Sequence, residues 1–125
     1  MIMLLTHQEE LTRQLAHALH LSGHQVAIPR NREEMLTVLK NSQPELVIFN
    51  LHTLDPIAVE NLRLVHDHEY VGAVLVLSGP SMTPIVNVVY ASGLRVTRVV
   101  QAPDDINGHY DFWDLELNIQ TLGHC

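Results

Sequence analysis

The chain has 125 residues and a formal net charge of −7, from seven basic and 14 acidic side chains. This length is typical of one domain, and an apolar content of 46% is that of a folded protein, which excludes intrinsic disorder. No apolar run approaches the roughly 20 residues of a membrane-spanning helix. An acidic chain without a basic cluster is also a poor binder of nucleic acid. We therefore expect residues 1–125 to form a single domain that acts without direct contact to membranes or nucleic acid.

Two hydrophobic periodicities alternate along the chain and predict strands and helices in turn. Short apolar runs predict five strands, at Ile2–Leu5, Gln25–Ile28, Leu46–Phe49, Val71–Leu77 and Val96–Val100. The third run is apolar at every position, as expected of a central strand that is buried on both faces. Such alternation is typical of a parallel sheet with helices on both faces.

The first two helices are predicted from an apolar stripe and from a capping signal. Leucines recur every fourth residue from Leu11 to Leu19, and Gly23 provides a left-handed cap after them. Asn31, with Glu34 three residues later, has the capping-box spacing that starts the second helix.

The third and fourth helices are predicted from the same N-terminal signal, and the last helix from its apolar periodicity. Asp55-Pro56 and Thr83-Pro84 each combine an N-capping side chain with proline at the first helical position. The last helix is predicted over Asp111–Leu122. The predicted elements leave no room for a linker, a repeat or a second domain.

Five strand–helix units of this length are typical of the flavodoxin-like doubly wound sheet, with strand order 2-1-3-4-5. In that fold, ligands bind beyond the carboxyl ends of the strands, near the switch between strands 1 and 3. The candidate site residues are those at the strand ends, namely Thr6, His7, Asn50, Ser78, Gln101 and Ala102.

This arrangement resembles the receiver domain of bacterial two-component response regulators, over essentially the whole chain. The resemblance rests on residues 21–26 leading into strand 2, on the apolar run that ends at Asn50, on Ser78 ending strand 4, and on Ala91-Ser92-Gly93 before strand 5. The resemblance implies a phosphorylation site in which an aspartate after strand 3 accepts the phosphoryl group. An acidic pair after strand 1 binds Mg²⁺, because that ion prefers carboxylate oxygens, and a Ser/Thr and a Lys contact the phosphoryl oxygens.

The chain departs from that pattern at every position except Ser78. Asn50 replaces the aspartate, and an amide is neither a useful nucleophile nor a negative charge. Thr6 and His7 stand where the acidic pair belongs, and the lysine position falls on Gln101 or Ala102, depending on register. The sequence therefore predicts a degenerate pseudo-receiver, with no metal or cofactor and no enzymatic activity.

Two functions remain open for such a domain. The first is a phosphorylation-independent signalling module, the regulatory part of a bacterial signal-transduction or transcription-control protein, which acts by protein–protein contact or dimerisation. Receivers commonly pair through helix 4, strand 5 and the last helix, and the residues predicted on that face are Tyr90, Arg98, Trp113 and Glu116. The alternative is a domain that senses a small ligand in the vacated strand-end pocket.

The histidines and the cysteine add little to these hypotheses. His17, His20 and His24 share one side of the first helix and its end, and we interpret them as a solvated polar face rather than a metal site. The single cysteine, Cys125, and a first segment unlike a signal peptide predict a cytoplasmic protein.

Overall fold

Strands and helices alternate in the computed structural model of the chain, as the sequence predicts. The structure describes residues 1–6, 9–51, 56–79, 83–101, 105–106, 109–110, 115 and 119–121. The strands are β1 (Ile2–Leu5), β2 (Val26–Ala27), β3 (Leu46–Leu51), β4 (Ala73–Ser78), β5 (Arg98–Gln101), β6 (Asp105–Ile106) and β7 (His109–Tyr110). The helices are α1 (Glu9–Leu21), α2 (Arg32–Asn41), α3 (Pro56–Asp67) and α4 (Thr83–Ser92).

The first five strands form one sheet in the order β2-β1-β3-β4-β5, and every neighbouring pair is parallel. This is the flavodoxin-like order, so the predicted fold class is confirmed. β6 and β7 form a separate antiparallel pair, and β7 lies beside α1. Among the residues that the structure describes, no helix is long and apolar enough to cross a membrane.

The sheet has a hydrophobic core on each face, because the side chains of a strand alternate between the two faces. On one face, Val47 and Phe49 of β3 pack in a cluster with residues of α2, α3 and α4. On the other face, Ile48 packs in a second cluster with α1 and with Leu115 and Ile119. All six residues of β3 are buried, which fits its central position.

The start of α2 matches the predicted cap, with one difference. The side-chain oxygen of Asn31 accepts a hydrogen bond from the amide of Glu34 at 2.9 Å. The Glu34 carboxylate reaches back to the amide of Arg30 at 2.7 Å, one residue before the position expected of a capping box. Both side chains therefore fix the loop between β2 and α2.

Two strands begin later than predicted, for reasons that lie in their neighbours. β4 begins at Ala73 because its partner β3 begins only at Leu46, which pairs with Ala73, and Val71 is left 97% exposed. β5 begins at Arg98, because the residue before it, Thr97, contacts β4 through its side chain. The Oγ1 atom of Thr97 accepts a hydrogen bond from the backbone amide of Val74 at 3.0 Å, where a strand residue would use its backbone carbonyl.

The ends of two further strands also differ from the prediction. β3 continues past Phe49 to Leu51, which pairs with Ser78 on β4, so Asn50 lies inside the strand. β2 is shorter than Gln25–Ile28, because this edge strand pairs with β1 only at Val26 and Ala27.

The segment after β5 differs most from the prediction. The sequence analysis assigned no structure before Asp111, whereas β6 and β7 form a hairpin there. Leu115 and residues 119–121 are helical, and the buried positions of Leu115 and Ile119 fit the predicted last helix. The predicted N-cap Asp55 and the rest of the last helix lie outside the described residues.

Tyr70, in the loop before β4, is hydrogen-bonded to the loop before β3. Its hydroxyl donates to the carbonyl oxygens of Pro44 and Ala73, at 2.9 and 3.1 Å. Burial of the ring, and then the negative charge of Glu45, raise the pKa of Tyr70. The folded state thus favours the neutral phenol.

We expect Tyr70→Phe to lower the free energy of unfolding by about 1 kcal/mol at neutral pH, because the hydrogen bonds are lost. Since the pKa of Tyr70 is raised on folding, its contribution is complete below the unfolded pKa of about 10 and is lost as pH rises further. Urea denaturation at neutral and alkaline pH measures both effects. Tyr90→Phe is the control, since Tyr90 is 88% exposed. Equal urea midpoints for wild type and Tyr70→Phe would contradict the prediction.

Candidate functional site

The candidate site lies at the carboxyl edge of the sheet, where four strands bring their last residues together. Leu5 pairs with Phe49, so Thr6, directly after β1, and Asn50, in β3, are neighbours. Ser78, the last residue of β4, pairs with Leu51 of β3 on one side and with Gln101 of β5 on the other. Parallel pairing therefore places Thr6, Asn50, Ser78 and Gln101 along one edge, in the order expected from the sequence.

Asn50 and Thr6 are joined by a hydrogen bond between their side chains. The amide nitrogen Nδ2 of Asn50 donates to Oγ1 of Thr6 at 3.1 Å. Asn50 is only 6% exposed, so its amide needs partners inside the protein. The two residues satisfy each other in part, and neither side chain carries a charge.

Ser78 and Gln101 form the second half of this edge. Ser78 is fully buried, and its hydroxyl donates to the carbonyl oxygen of Gly79 at 3.1 Å. Gln101 is exposed and is the residue that pairs with Ser78 across the two strands. The register thus places Gln101 beside Ser78, whereas Ala102 and His7 lie outside the described residues.

The four described strand-end side chains are all uncharged. Phosphoryl transfer requires a positioned nucleophile and groups that neutralise the charge of the phosphoryl oxygens. Two hydroxyls and two amides offer neither a carboxylate for Mg²⁺ nor a cation for the phosphoryl group. Within the described part of the chain, no three His, Cys, Asp or Glu residues are grouped to hold a metal ion.

The predicted contact face is represented by α4 and β5. Tyr90 is 88% exposed near the end of α4, and Arg98 is exposed at the start of β5, an edge strand of the sheet. Trp113 and Glu116 lie outside the described residues. Val86, which was not predicted from the sequence, is 48% exposed and lies one helical turn before Tyr90.

α4 has a composition that would have revealed this surface from the sequence. Its ten residues, from Thr83 to Ser92, include no charged side chain. Ile85 and Val89 are buried against the core, and Val86 and Tyr90, each about 100° further round the helix, are left as exposed apolar groups. An uncharged helix with apolar residues on two sides is the signal that was overlooked.

The histidines of α1 are placed as solvent-facing groups. His17 and His20 are exposed, and His24, after the helix, is partly exposed. The stripe therefore faces away from the core cluster that contains Leu15 and Leu19.

Structure comparison identifies response-regulator receiver domains as neighbours of this fold. A response regulator from Thermotoga maritima superposes with a TM-score of 0.71 at 15% identity, covering 99% of this chain and 97% of that one. A second one from Thermotoga maritima, solved in complex with Mg²⁺ and BeF, gives 0.71 at 16% identity over 97% and 96% of the two chains. A CheY-like receiver domain protein from Methanospirillum hungatei gives 0.73 at 17% identity over 96% and 90%.

Comparisons at the level of sequence find no relationship. No family model matches the chain, and no curated protein matches it. At identities of this level, the structural neighbours establish the receiver-like fold. The chemistry of the site must be judged from its own residues.

We expect that Asn50→Asp alone will not enable Mg²⁺-dependent phosphorylation by acetyl phosphate. The new carboxylate would face the neutral Thr6, and Gln101 would still supply no positive charge beside Ser78. Intact-protein mass spectrometry after incubation with acetyl phosphate and Mg²⁺ measures the modification. A receiver domain that retains its aspartate, treated in parallel, is the positive control. Robust labelling of the Asn50→Asp variant would show that the site has been misplaced.

Proposed function

We propose that the chain is a phosphorylation-independent, receiver-like signalling module that acts through contact with another protein or with a second copy of itself. The observation that carries this proposal is the neutral strand-end edge, in which Asn50 donates a hydrogen bond to Thr6 where a receiver has charged groups. The scaffold is retained while the groups needed for phosphoryl transfer are replaced. A module of this kind performs no catalysis of its own.

The uncharged side of α4 supports contact as the mode of action. Val86 and Tyr90 lie one turn apart and are both exposed, and aromatic side chains are frequent anchors of protein interfaces. Arg98 on the neighbouring edge strand would add a charged contact beside them. We call this surface the α4 contact face. The sequence also predicts Trp113 and Glu116 on it, and both lie outside the described residues.

The neutral site also favours constitutive contact over switching. A ligand changes a conformational equilibrium only when it binds two states with different affinity. Without a phosphoacceptor, the usual effector of a receiver cannot impose such a difference. The module would therefore associate according to its concentration, as the regulatory part of a bacterial signal-transduction or transcription-control protein in the cytoplasm.

Sensing of a small ligand in the vacated strand-end pocket remains the alternative, but the polar groups of the edge support it less well. The Asn50 amide is directed at Thr6, and the Ser78 hydroxyl is directed at the carbonyl of Gly79. Both donors are thus used within the protein, and little is left there to recognise a ligand.

We expect light scattering across a dilution series to detect a dimer that Tyr90→Ala weakens by about tenfold or more, because a buried aromatic anchor would be lost. Trp113→Ala is expected to act in the same direction. The control is Val71→Ala, which removes an apolar side chain that is 97% exposed in the loop before β4 and is not part of the α4 contact face. A monomer at every concentration would contradict self-association and leave only a different protein as partner. Loss of the dimer in Val71→Ala would place the interface elsewhere.

A further inference from the structure

A cleft of about 590 Å³ opens beside the strand-end edge. Leu5 and Thr6 line its inner end, and its walls are the start of α1, the loop between β2 and α2, and the outer side of α3. This volume is within the range that accommodates a small organic molecule. The cleft also lies beyond the carboxyl end of β1, next to the switch between β1 and β3, where doubly wound sheets usually bind ligands.

One part of the cleft wall is apolar and exposed. Ile28 and Ile57, which face it from the loop before α2 and from α3, are 43% and 58% exposed. Pro29, Met35 and Leu64 extend the same surface. An apolar ligand body that covered the two isoleucines would remove their side chains from water, which is favourable.

Basic side chains are concentrated at this cleft, although the protein is acidic overall. Three of the seven basic residues of the chain, Arg13, Arg30 and Arg32, line it. All three are arginines, whose planar guanidinium groups match the geometry of a carboxylate. Glu9 and Glu60 also line the cleft, and Glu10 and Glu34 pair with Arg13 and Arg30, so three guanidinium groups and four carboxylates meet there.

Each of the three arginines forms an ion pair and still has N–H donors for a ligand. Arg13 pairs with Glu10, Arg30 with Glu34, and Arg32 with Glu60 across the cleft from α2 to α3. A guanidinium has more N–H donors than one carboxylate accepts, so further donors remain for a ligand. The arginine side chains are 55–87% exposed, and exposed ion pairs contribute little free energy, so a ligand can share or replace them.

We propose that this cleft binds a small monocarboxylic acid with an apolar body. The carboxylate lies among Arg13, Arg30 and Arg32, and the apolar body covers Ile28 and Ile57. The four carboxylates around the arginines repel each further negative charge, which favours a ligand with one negative charge over a ligand with two. The site goes beyond the proposed contact function and does not depend on it, since no described residue of α4 or β5 lines the cleft.

Three probes with eight carbon atoms each and different head groups test the proposal on the full chain. Octanoate carries one negative charge, octan-1-ol carries none, and octyl phosphate is mostly a dianion near neutral pH. Amide chemical shifts of ¹⁵N-labelled protein locate the binding, and calorimetry gives the affinity. We expect octanoate to shift the amides of Thr12, Met35 and Asn61, and to bind about tenfold more tightly than either other probe.

Paired variants separate the cleft from general anion binding. Arg30→Gln combined with Arg32→Gln is expected to weaken octanoate binding by about tenfold, and Ile57→Ser by a smaller factor. The matched control is Arg63→Gln, since Arg63 is an exposed arginine of α3 outside this cleft. Circular dichroism verifies that each variant is folded. Tyr90→Ala should leave octanoate binding unchanged, which keeps this test independent of the α4 contact face.

Several outcomes would overturn the proposal. These are no shift at the cleft amides with octanoate, equal affinity for octan-1-ol, and full affinity in the folded Arg30→Gln/Arg32→Gln variant. Equal or tighter binding of octyl phosphate would overturn the assignment of a single negative charge. Equal weakening by Arg63→Gln would assign the effect to overall charge rather than to the cleft.

Discussion

Burial of β3 on both faces is the constraint from which the rest of the structure follows. All six of its residues are buried, and it pairs with β1 on one side and β4 on the other. A strand in this position requires helices on both faces of the sheet, which α2, α3 and α4 provide on one face and α1 with the segment around Leu115 on the other. Asn50 is the one polar residue of the strand, so its amide must find a partner inside the fold.

The hydrogen bond from Asn50 to Thr6 explains how the scaffold persists without charged groups at this edge. A cluster of carboxylates at the end of a sheet repels itself unless a cation is present. A neutral amide and a neutral hydroxyl pair directly and need no ion. A neutral pair at this position therefore avoids the electrostatic cost of folding that clustered carboxylates would carry. The receiver-like fold is thus compatible with the uncharged side chains of Thr6 and Asn50.

Local signals in the sequence predicted those parts of the fold that depend on neighbouring residues. The cap of α2 at Asn31 and the apolar run Leu46–Phe49 of β3 are examples, since each follows from side chains a few positions apart. The starts of β4 and β5 depended on distant partners, such as the amide of Val74 bonded to the side chain of Thr97, and could not be derived from periodicity. The hairpin of β6 and β7 was a missed signal, because Asn107-Gly108 is a strong hairpin dipeptide.

The strand-end positions could be predicted from the sequence, whereas the cleft beside them could not. Positions at the ends of parallel strands follow from the fold, so Thr6, Asn50, Ser78 and Gln101 were identified from the sequence. The cleft was not, because it joins Arg13, Arg30 and Ile57 from three segments whose distance depends on how α1 and α3 pack around the loop before α2. The uncharged surface of α4 was visible in composition, but its exposed side depends on which residues the core takes.

The two surfaces proposed for binding differ in their physical character, and this difference separates their roles. The cleft concentrates three arginines of an acidic chain, so recognition there is largely electrostatic and weakens as salt screens the charges. α4 has no charged residue, and association through it relies on burial of Val86 and Tyr90, which salt does not screen. Ionic strength therefore acts on one surface and largely spares the other.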